Sequence, residues 1–303
     1  MKHMIVKWPG IIALLLLIGC SSGNSETETL DTRESGTIHI SVDETFKPII
    51  DSQIKVYESS YPEAKIIAHY KPEAECLRDF AVDSIRLIIA TRGYSKSEEQ
   101  FIIDSLKTAP SKMTVAYDAI AVIIHPSSED SLITMEYIKD ILTGKAKKKV
   151  IPVFDGLKAT STVRYIIDSV LNGAMMSPEV VAAESSEGVI DYVSKTKEAV
   201  GFIGVSWIGN PEDSTHLSFL EKVKVAQVEH PQLPGIFVTP AQYNIFYRRY
   251  PMVRDLVYIL KERHNGLGHG FSNFLTTQRG QLIFQRAYLM PALMDFQIRG
   301  ANL

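Results

Sequence analysis

Short apolar runs alternate with segments of helical spacing along the chain from Gly36 onward. An apolar run bounded by polar residues is typical of a buried strand, and apolar positions three or four residues apart are typical of a helix. In chain order, these patterns predict a strand at 37–42, a helix at 45–61, a strand at 65–70, a helix at 73–84, a strand at 85–90 and a helix at 98–106. Such a series folds into a mostly parallel sheet with helices on its faces, so we predict an α/β fold.

The apolar stretch at 113–126 is much longer than the strands before it and can leave one sheet to enter a second. Beyond it, the patterns predict helices at 135–142, 162–171 and 187–194, strands at 150–154, 199–204 and 255–261, and closing helices at 270–276 and 280–288. Because the strand at 255–261 can return to the first sheet, we predict two lobes joined by two crossing hinge strands, with a cleft between them. Lobe 1 would contain 36–114 with 256–303, and lobe 2 would contain 115–255.

The N-terminus follows a different pattern. Lys2 and Lys7 precede an uninterrupted apolar run at 11–18, which ends at Cys20. This order is typical of a secretory signal peptide. The run is too short to cross a hydrocarbon core of about 30 Å, so we do not interpret it as a transmembrane helix. We therefore predict that residues 1–19 are a signal peptide.

The segment Leu17–Cys20 is similar to a lipobox, in which apolar or small residues precede a cysteine that becomes acylated. An ordinary signal peptide with an incidental cysteine is the alternative. Residues 20–35 continue with Ser, Gly, Thr and Glu, which is typical of a flexible tether. We therefore predict an extracytoplasmic lipoprotein, in the periplasm or cell envelope, held to membrane lipid through Cys20.

Charge and cysteine content exclude several classes of function. The chain has 32 Lys and Arg against 35 Asp and Glu with no basic stripe, so we expect no nucleic-acid partner. If lipid uses Cys20, Cys76 is left without a disulfide partner, which excludes a dithiol redox site and a cysteine-rich metal site. His264 and His269 flank a glycine-containing turn and are interpreted as loop residues. We expect no metal, no cofactor, no catalytic residue and a monomeric protein.

Four stretches of the chain together resemble one known family. They are residues 116–123, 199–204, 249–259 and 271–291. Their order and spacing are similar to those of the PstS-like phosphate-binding proteins, which are solute receptors of ABC importers. The resemblance implies a two-lobed, type II periplasmic binding fold with mixed sheets flanked by helices. It also implies that inorganic phosphate or a similar oxyanion binds in the cleft and that an ABC transporter permease is the partner.

The resemblance also indicates which residues bind the anion. Thr45 and Phe46, after the first strand, match a Thr-Phe pair whose hydroxyl and amide groups bind phosphate in the family. Thr160, Ser161 and Thr162 stand where the family has a Ser-Gly-Thr loop, with Ser161 in place of its glycine. Hydroxyl and amide groups at the starts of helices are suited to an oxyanion, although the same residues can simply cap those helices.

The positive charge of the site is harder to assign. After the third strand, better-known members of the family have an acidic residue, whereas this chain has Arg92. A guanidinium can hold phosphate through two hydrogen bonds, but Arg92 can also pair with Glu98 or Glu99. The arginine that precedes the family's Ser-Gly-Thr loop has no clear counterpart here. We therefore assign the cation to Arg92, with Lys158 and Arg164 as alternatives.

Carboxylates near the predicted site bear on selectivity. An ionised carboxylate repels a fully ionised anion but accepts a hydrogen bond from an oxyanion that keeps a proton. Asp43, Glu44, Glu73 and Asp155 are all candidates for this role, and the sequence does not choose among them.

Two other functions stay open at this stage. One is a receptor of the same fold that senses or scaffolds without transport. The other is an extracytoplasmic hydrolase with Ser161 or another serine as nucleophile, which would need a histidine and a carboxylate within reach. The chain contains neither a Gly-x-Ser-x-Gly elbow nor a His-Glu-x-x-His motif, so the receptor is the preferred interpretation.

Overall fold

The structure is a computed structural model and describes residues 30–107, 109–156, 160–208 and 219–294. Contacts divide the chain into two units, Met1–Leu30 and Asp31–Leu303. The predicted signal peptide and Cys20 lie in the first unit, outside the described residues. None of the helices described is long and apolar enough to span a bilayer.

The strands of the second unit follow the predicted order, with several short strands added. They are β1 (Gly36–Asp43), β2 (Ala64–Lys71), β3 (Ile85–Ala90), β4 (Ser111–Ile124), β5 (Leu132–Ile133), β6 (Ile151–Phe154), β7 (Val181–Ala182), β8 (Ala199–Gly204), β9 (Lys224–Val225), β10 (Gln227–Glu229), β11 (Phe237–Val238), β12 (Val253–Leu260) and β13 (Met290–Pro291). The short strands are two or three residues long, too short to leave a periodicity in the sequence.

Strand β4 joins two sheets, as its length predicts. Its first part pairs with β12, which in turn pairs with β3, and β1 and β2 complete that sheet in parallel. Its second part, from Ile120 to Ile124, pairs with β8, followed by β6 and β7. We call the half built on β2, β1, β3 and β12 lobe 1, and the half built on β8, β6 and β7 lobe 2. The residue boundaries given above for the lobes, 36–114 with 256–303 and 115–255, stay a prediction.

Helices cover both faces of each half. They are α1 (Lys47–Ser60), α2 (Glu73–Arg78), α3 (Lys96–Leu106), α4 (Met135–Thr143), α5 (Ser161–Tyr165), α6 (Ser186–Lys195), α7 (Gln242–Phe246), α8 (Leu267–Thr276) and α9 (Gln278–Arg286). The predicted α/β class, with mixed sheets and flanking helices, is confirmed.

Two helix predictions were wrong, one in length and the other in helix type. The helix predicted at 73–84 ends at Arg78 and tightens into a 3-10 turn. The reason is tertiary, because Asp79 is fixed by hydrogen bonds from Ser41 (2.7 Å) and Lys71 (2.5 Å) on the neighbouring strands. The helix predicted at 162–171 begins one residue earlier and changes to a π-helix at Ile166–Val170.

Each lobe has its own apolar core. In lobe 1, Ile40, Phe271 and Phe284 pack between the sheet and helices α1, α8 and α9. In lobe 2, Phe154 stacks on Phe202 with ring centres 4.9 Å apart. Each such buried side chain contributes about 1.5–3 kcal/mol relative to exposure. The two cores lie on either side of the crossing strands, within one compact unit, Asp31–Leu303.

Candidate functional site

A buried ion pair joins the two crossing strands. Arg254 of β12 lies opposite Asp118 of β4 in the antiparallel register, and its Nε donates to Asp118 Oδ2 at 2.8 Å. Both side chains are almost completely buried. Burial by itself lowers the pKa of the Arg254 guanidinium, but the charges of Asp118 and Asp43 raise it above its ordinary value. Arg254 is therefore a permanent positive charge between the lobes.

Hydroxyl groups from both lobes meet at this guanidinium. Arg254 Nη1 donates to Ser161 Oγ at 3.0 Å and to Thr162 Oγ1 at 3.2 Å, both at the start of α5 in lobe 2. Ser161 Oγ also lies 3.3 Å from Thr45 Oγ1, which follows β1 in lobe 1. All of these side chains are buried. We call Arg254, Asp118, Thr45, Ser161 and Thr162 the cleft cluster.

Other residues fix the geometry of the cleft cluster. The Arg254 guanidinium carbon lies 5.3 Å from the centre of the Phe46 ring, within the range of a cation–π contact. Trp207 Nε1, from lobe 2, donates to the carbonyl oxygen of Thr45 at 2.8 Å. At Gly204 a Cβ atom would lie 2.9 Å from Thr45 Cγ2 and 3.1 Å from Arg254 Nη2. The approach of the lobes here therefore requires glycine.

Buried polar atoms without a protein partner concentrate around the same point. Within the described residues they are Arg254 Nη2, Asp118 Oδ1, Asp43 Oδ2, Asp155 Oδ1 and Ser206 Oγ, with Gln53 Oε1 in lobe 1 as the exception. An unsatisfied buried polar atom costs about 1–3 kcal/mol, and such atoms are rare in native proteins. A polar ligand that bonds several of these atoms would remove that cost.

Asp43 has a strongly perturbed carboxyl group at this site. Its Oδ1 accepts from the Thr45 amide at 3.1 Å, and the side chain is fully buried. Burial and the charge of Glu73 raise its pKa to about 7, although Arg254 opposes this shift. Asp43 can therefore exchange a proton near neutral pH.

Two further carboxyl groups share this environment. Burial raises the pKa of Asp118 and of Asp155, while Arg254 lowers both. Asp155 Oδ2 also accepts from the Ser186 hydroxyl at 2.9 Å. The cleft thus combines one fully buried cation with several carboxyl groups that resist ionisation.

Glu73 belongs to a second contact between the lobes. Its Oε2 accepts from Arg164 Nε at 2.5 Å, and its Oε1 accepts from the Thr91 amide at 2.9 Å. Arg164 lies on α5 in lobe 2, whereas Glu73 and Thr91 belong to lobe 1. Arg164, an alternative for the site cation, therefore already pairs with a carboxylate.

The structure brings most of the predicted site residues together and leaves two apart. Thr45, Phe46, Ser161 and Thr162 all contact Arg254 or each other, as described above. The Thr160 hydroxyl instead accepts from the Val163 amide at 3.3 Å, which is the helix-cap alternative. For Arg92, the contacts are Glu98, at 2.9 Å, and the Gly93 carbonyl. The other alternative cation, Lys158, lies outside the described residues.

Arg254 and Asp118 are the residues of the cleft cluster that the sequence analysis missed. A partial signal was present, because Asp118 is the one Asp, Glu, Lys or Arg in the apolar stretch at 113–126, which predicts a paired charge. Arg254 gave a weaker signal, since it stands next to Asp255 and one residue before the strand predicted at 255–261.

The histidines at the far end of lobe 1 belong to a separate network. Asp31, Glu262 and His264 lie close enough together to share a cation. However, the Arg86 guanidinium occupies that position, at 2.6 Å from Asp31 and 2.9 Å from Glu262. His269 Nδ1 lies 2.9 Å from Glu262. The Arg86 guanidinium thus already pairs with both carboxylates.

Several solved structures have a fold similar to that of this chain. A phosphate ABC transporter substrate-binding protein from Clostridium perfringens, so described and solved with bound phosphate, superposes with a TM-score of 0.70 at 18% identity, covering 85% of this chain and 100% of that chain. An ABC-type phosphate transport receptor from Vibrio cholerae gives 0.63 at 15% identity, covering 84% and 100%. PstS from Borrelia burgdorferi gives 0.53 at 19% identity, covering 85% and 99%.

Sequence comparisons agree with the fold. A search of curated protein sequences finds no significant match. A family model described as a PBP superfamily domain matches residues 27–279, which is most of the chain. The resemblance inferred from the four stretches is thereby confirmed at the level of the family and of the two-lobed fold. The chain belongs to the PBP superfamily.

Proposed function

We propose that this protein captures phosphate, or a closely related tetrahedral oxyanion, between its lobes and delivers it to an ABC importer. The observation that carries the proposal is the cleft cluster. There, a buried guanidinium with an unpaired Nη2 meets hydroxyls that come from opposite lobes. Donors that converge from two sides on one point suit a small anion that holds the lobes together.

Arg254 takes the role that the sequence analysis assigned to Arg92. Its Nη2 is available to an anion, while Nε and Nη1 fix its plane through Asp118 and Ser161. Thr45 and Ser161 then supply hydroxyl donors from lobe 1 and lobe 2. Support also comes from the Clostridium perfringens protein, which shares this fold and was solved with phosphate.

The carboxyl groups of the cleft favour an anion that keeps a proton. Asp43 Oδ2 and Asp155 Oδ1 are buried and unpaired, so either can accept a hydrogen bond from a protonated ligand oxygen. Phosphate and arsenate keep a proton near neutral pH, whereas sulfate does not. Above pH 7, where Asp43 is ionised, we therefore expect phosphate to bind in preference to sulfate, which would leave the carboxylate facing a bare oxygen.

Isothermal titration calorimetry of the purified full chain with inorganic phosphate tests the proposal. We expect Ser161→Ala to weaken binding about tenfold or more, because a hydrogen bond to a charged group contributes about 1.5–3 kcal/mol. Ser194→Ala is the matched control, since that hydroxyl bonds the Asp191 carbonyl on the exposed side of α6. Absence of phosphate binding, or equal affinity in both variants, would contradict the proposal.

The geometry gives no support to the hydrolase alternative. A serine nucleophile needs a general base within hydrogen-bond reach. Among the described residues, Ser161 Oγ contacts Thr45, Arg254 and the Asp43 carboxyl, so the histidine that a Ser-His-carboxylate hydrolase needs is not one of its partners. Ser161 is therefore proposed to bind the ligand and not to attack it.

The predicted N-terminus completes the proposed function. An acylated Cys20 followed by the tether at 20–35 would hold a monomeric body at the outer surface of a membrane. A receptor held there stays within reach of its permease, so that the closed, liganded form can be recognised.

A further inference from the structure

The contact between Glu73 and Arg164 is distinct from the cleft cluster. Glu73 is the first residue of α2 in lobe 1, and its side chain is 2% exposed. Arg164 reaches it from α5 in lobe 2 with Nε at 2.5 Å from Oε2 and Nη2 at 3.5 Å from Oε1. This is an ion pair whose two members belong to different lobes.

Thr91, at the end of β3, makes the contact three-sided. Its amide and its hydroxyl both donate to Glu73 Oε1, at 2.9 Å and 2.5 Å. Its hydroxyl oxygen accepts from Arg164 Nη2 at 2.7 Å. Arg164 therefore binds two residues on separate elements of lobe 1. We call Glu73, Thr91 and Arg164 the latch.

We propose that the latch stabilises the closed arrangement of the lobes by itself and so sets the affinity for the ligand without contacting it. Every atom of the latch belongs to the protein. If the lobes separate, Arg164 loses both of its lobe 1 partners and keeps Asp168, 3.5 Å away in lobe 2. The bonds between Thr91 and Glu73 lie within lobe 1 and persist. A contact made only in the closed state shifts the equilibrium toward that state.

The latch also explains why a carboxylate is tolerated beside an anion site. The negative charge of Glu73 is matched by Arg164 and by two donors from Thr91. Arg164 is thereby used within the protein, which leaves Arg254 as the cation that faces the ligand.

Closure can be measured without any ligand through Trp207. The full chain has two tryptophans, Trp8 and Trp207, so a Trp8→Phe background isolates the residue that bonds Thr45 across the cleft. In this background we expect Glu73→Gln and Arg164→Gln each to increase acrylamide quenching of Trp207 fluorescence. The double variant should show no further increase, because both changes remove the same contact. Arg164→Lys, which keeps the charge, should restore part of the protection.

Glu98→Gln is the matched control. It breaks the ion pair with Arg92, which has an N–O distance of 2.9 Å and lies wholly within lobe 1. Quenching should stay at the parent value in this variant. Melting temperatures of all variants identify any that fail to fold, and circular dichroism of the folded ones should match the parent. Equal quenching in Glu73→Gln, Arg164→Gln and the parent would overturn the latch.

The part of this inference that concerns ligand affinity rests on the proposed function, whereas the part that concerns closure of the lobes does not. We expect Glu73→Gln and Arg164→Gln to weaken inorganic phosphate binding about tenfold, in proportion to the lost population of the closed state. If the parent binds no phosphate but the latch variants still expose Trp207, the proposed function fails and the latch stands. If phosphate binds with equal affinity in the latch variants, the latch does not set the affinity.

Discussion

At the scale of the residue, Asp43 determines how the protein responds to pH. Burial and Glu73 raise its pKa from 3.8 to about 7 in the folded protein, whereas the unfolded chain releases this proton near the ordinary value. The folded state therefore holds an extra proton between these values. Its stabilising contribution is complete at low pH and is lost as pH rises through about 7.

Asp43→Asn keeps the shape of the protonated acid and removes its titration. In phosphate-free buffer we expect the variant and the parent to differ least near pH 4, and the variant's advantage in free energy of unfolding to grow as the pH rises to about 7 and to stay constant above it, because the unfolded parent gains stability by ionising Asp43 over this range. Urea denaturation across this range measures the difference. Curves that run parallel from pH 5 to pH 8 would show that the pKa of Asp43 is not raised in the folded protein.

At the scale of the element, the crossing strands β4 and β12 depend on the Asp118–Arg254 pair. Arg254→Met would leave Asp118 buried without its partner, and we expect a loss of about 3–5 kcal/mol in the free energy of unfolding. Adding Asp118→Leu should recover stability but not phosphate binding, since no cation would face the ligand. Urea denaturation and calorimetry measure the two effects separately.

A second ion pair of strand β12, between Asp255 and Arg248, provides the control. Arg248 and Asp255 are 3.9 Å apart and about half exposed. Arg248→Gln should therefore change the free energy of unfolding by less than about 0.5 kcal/mol. If the Arg248 and Arg254 variants lost a comparable free energy of unfolding, burial would not explain how much each ion pair contributes to stability.

At the scale of the whole molecule, the two lobes have separate cores and meet through polar contacts at the cleft. A ligand that binds only the folded, closed protein stabilises it by mass action, by about 2.7 kcal/mol at one hundred times its dissociation constant. We expect inorganic phosphate to raise the melting temperature and to reduce the radius of gyration measured by X-ray scattering. Sulfate at the same ionic strength should do neither, and an equal response to both anions would contradict the proposed selectivity.

The sequence alone determined the architecture of this protein. The predicted strands at 85–90 and 199–204 match β3 and β8 residue for residue, and the long run at 113–126 is β4, displaced by two residues. These predictions succeed because the strands are buried along most of their length, so each leaves a continuous apolar run in the local sequence. The helix that ends early at Arg78 fails for the opposite reason, because the side chains that hold Asp79 come from other strands.

Only the tertiary structure decided which residues make the site. Arg92 and Arg254 are both arginines at plausible positions in the sequence, yet one pairs with Glu98 and the other meets Ser161 and Thr162 in the cleft. Asp118 and Arg254 are 136 residues apart in the chain and 2.8 Å apart in space. A site of this kind is a set of distances between distant segments, and the register of β4 with β12 fixes those distances. The local order of residues records which segments form strands, but not which charges those strands bring face to face.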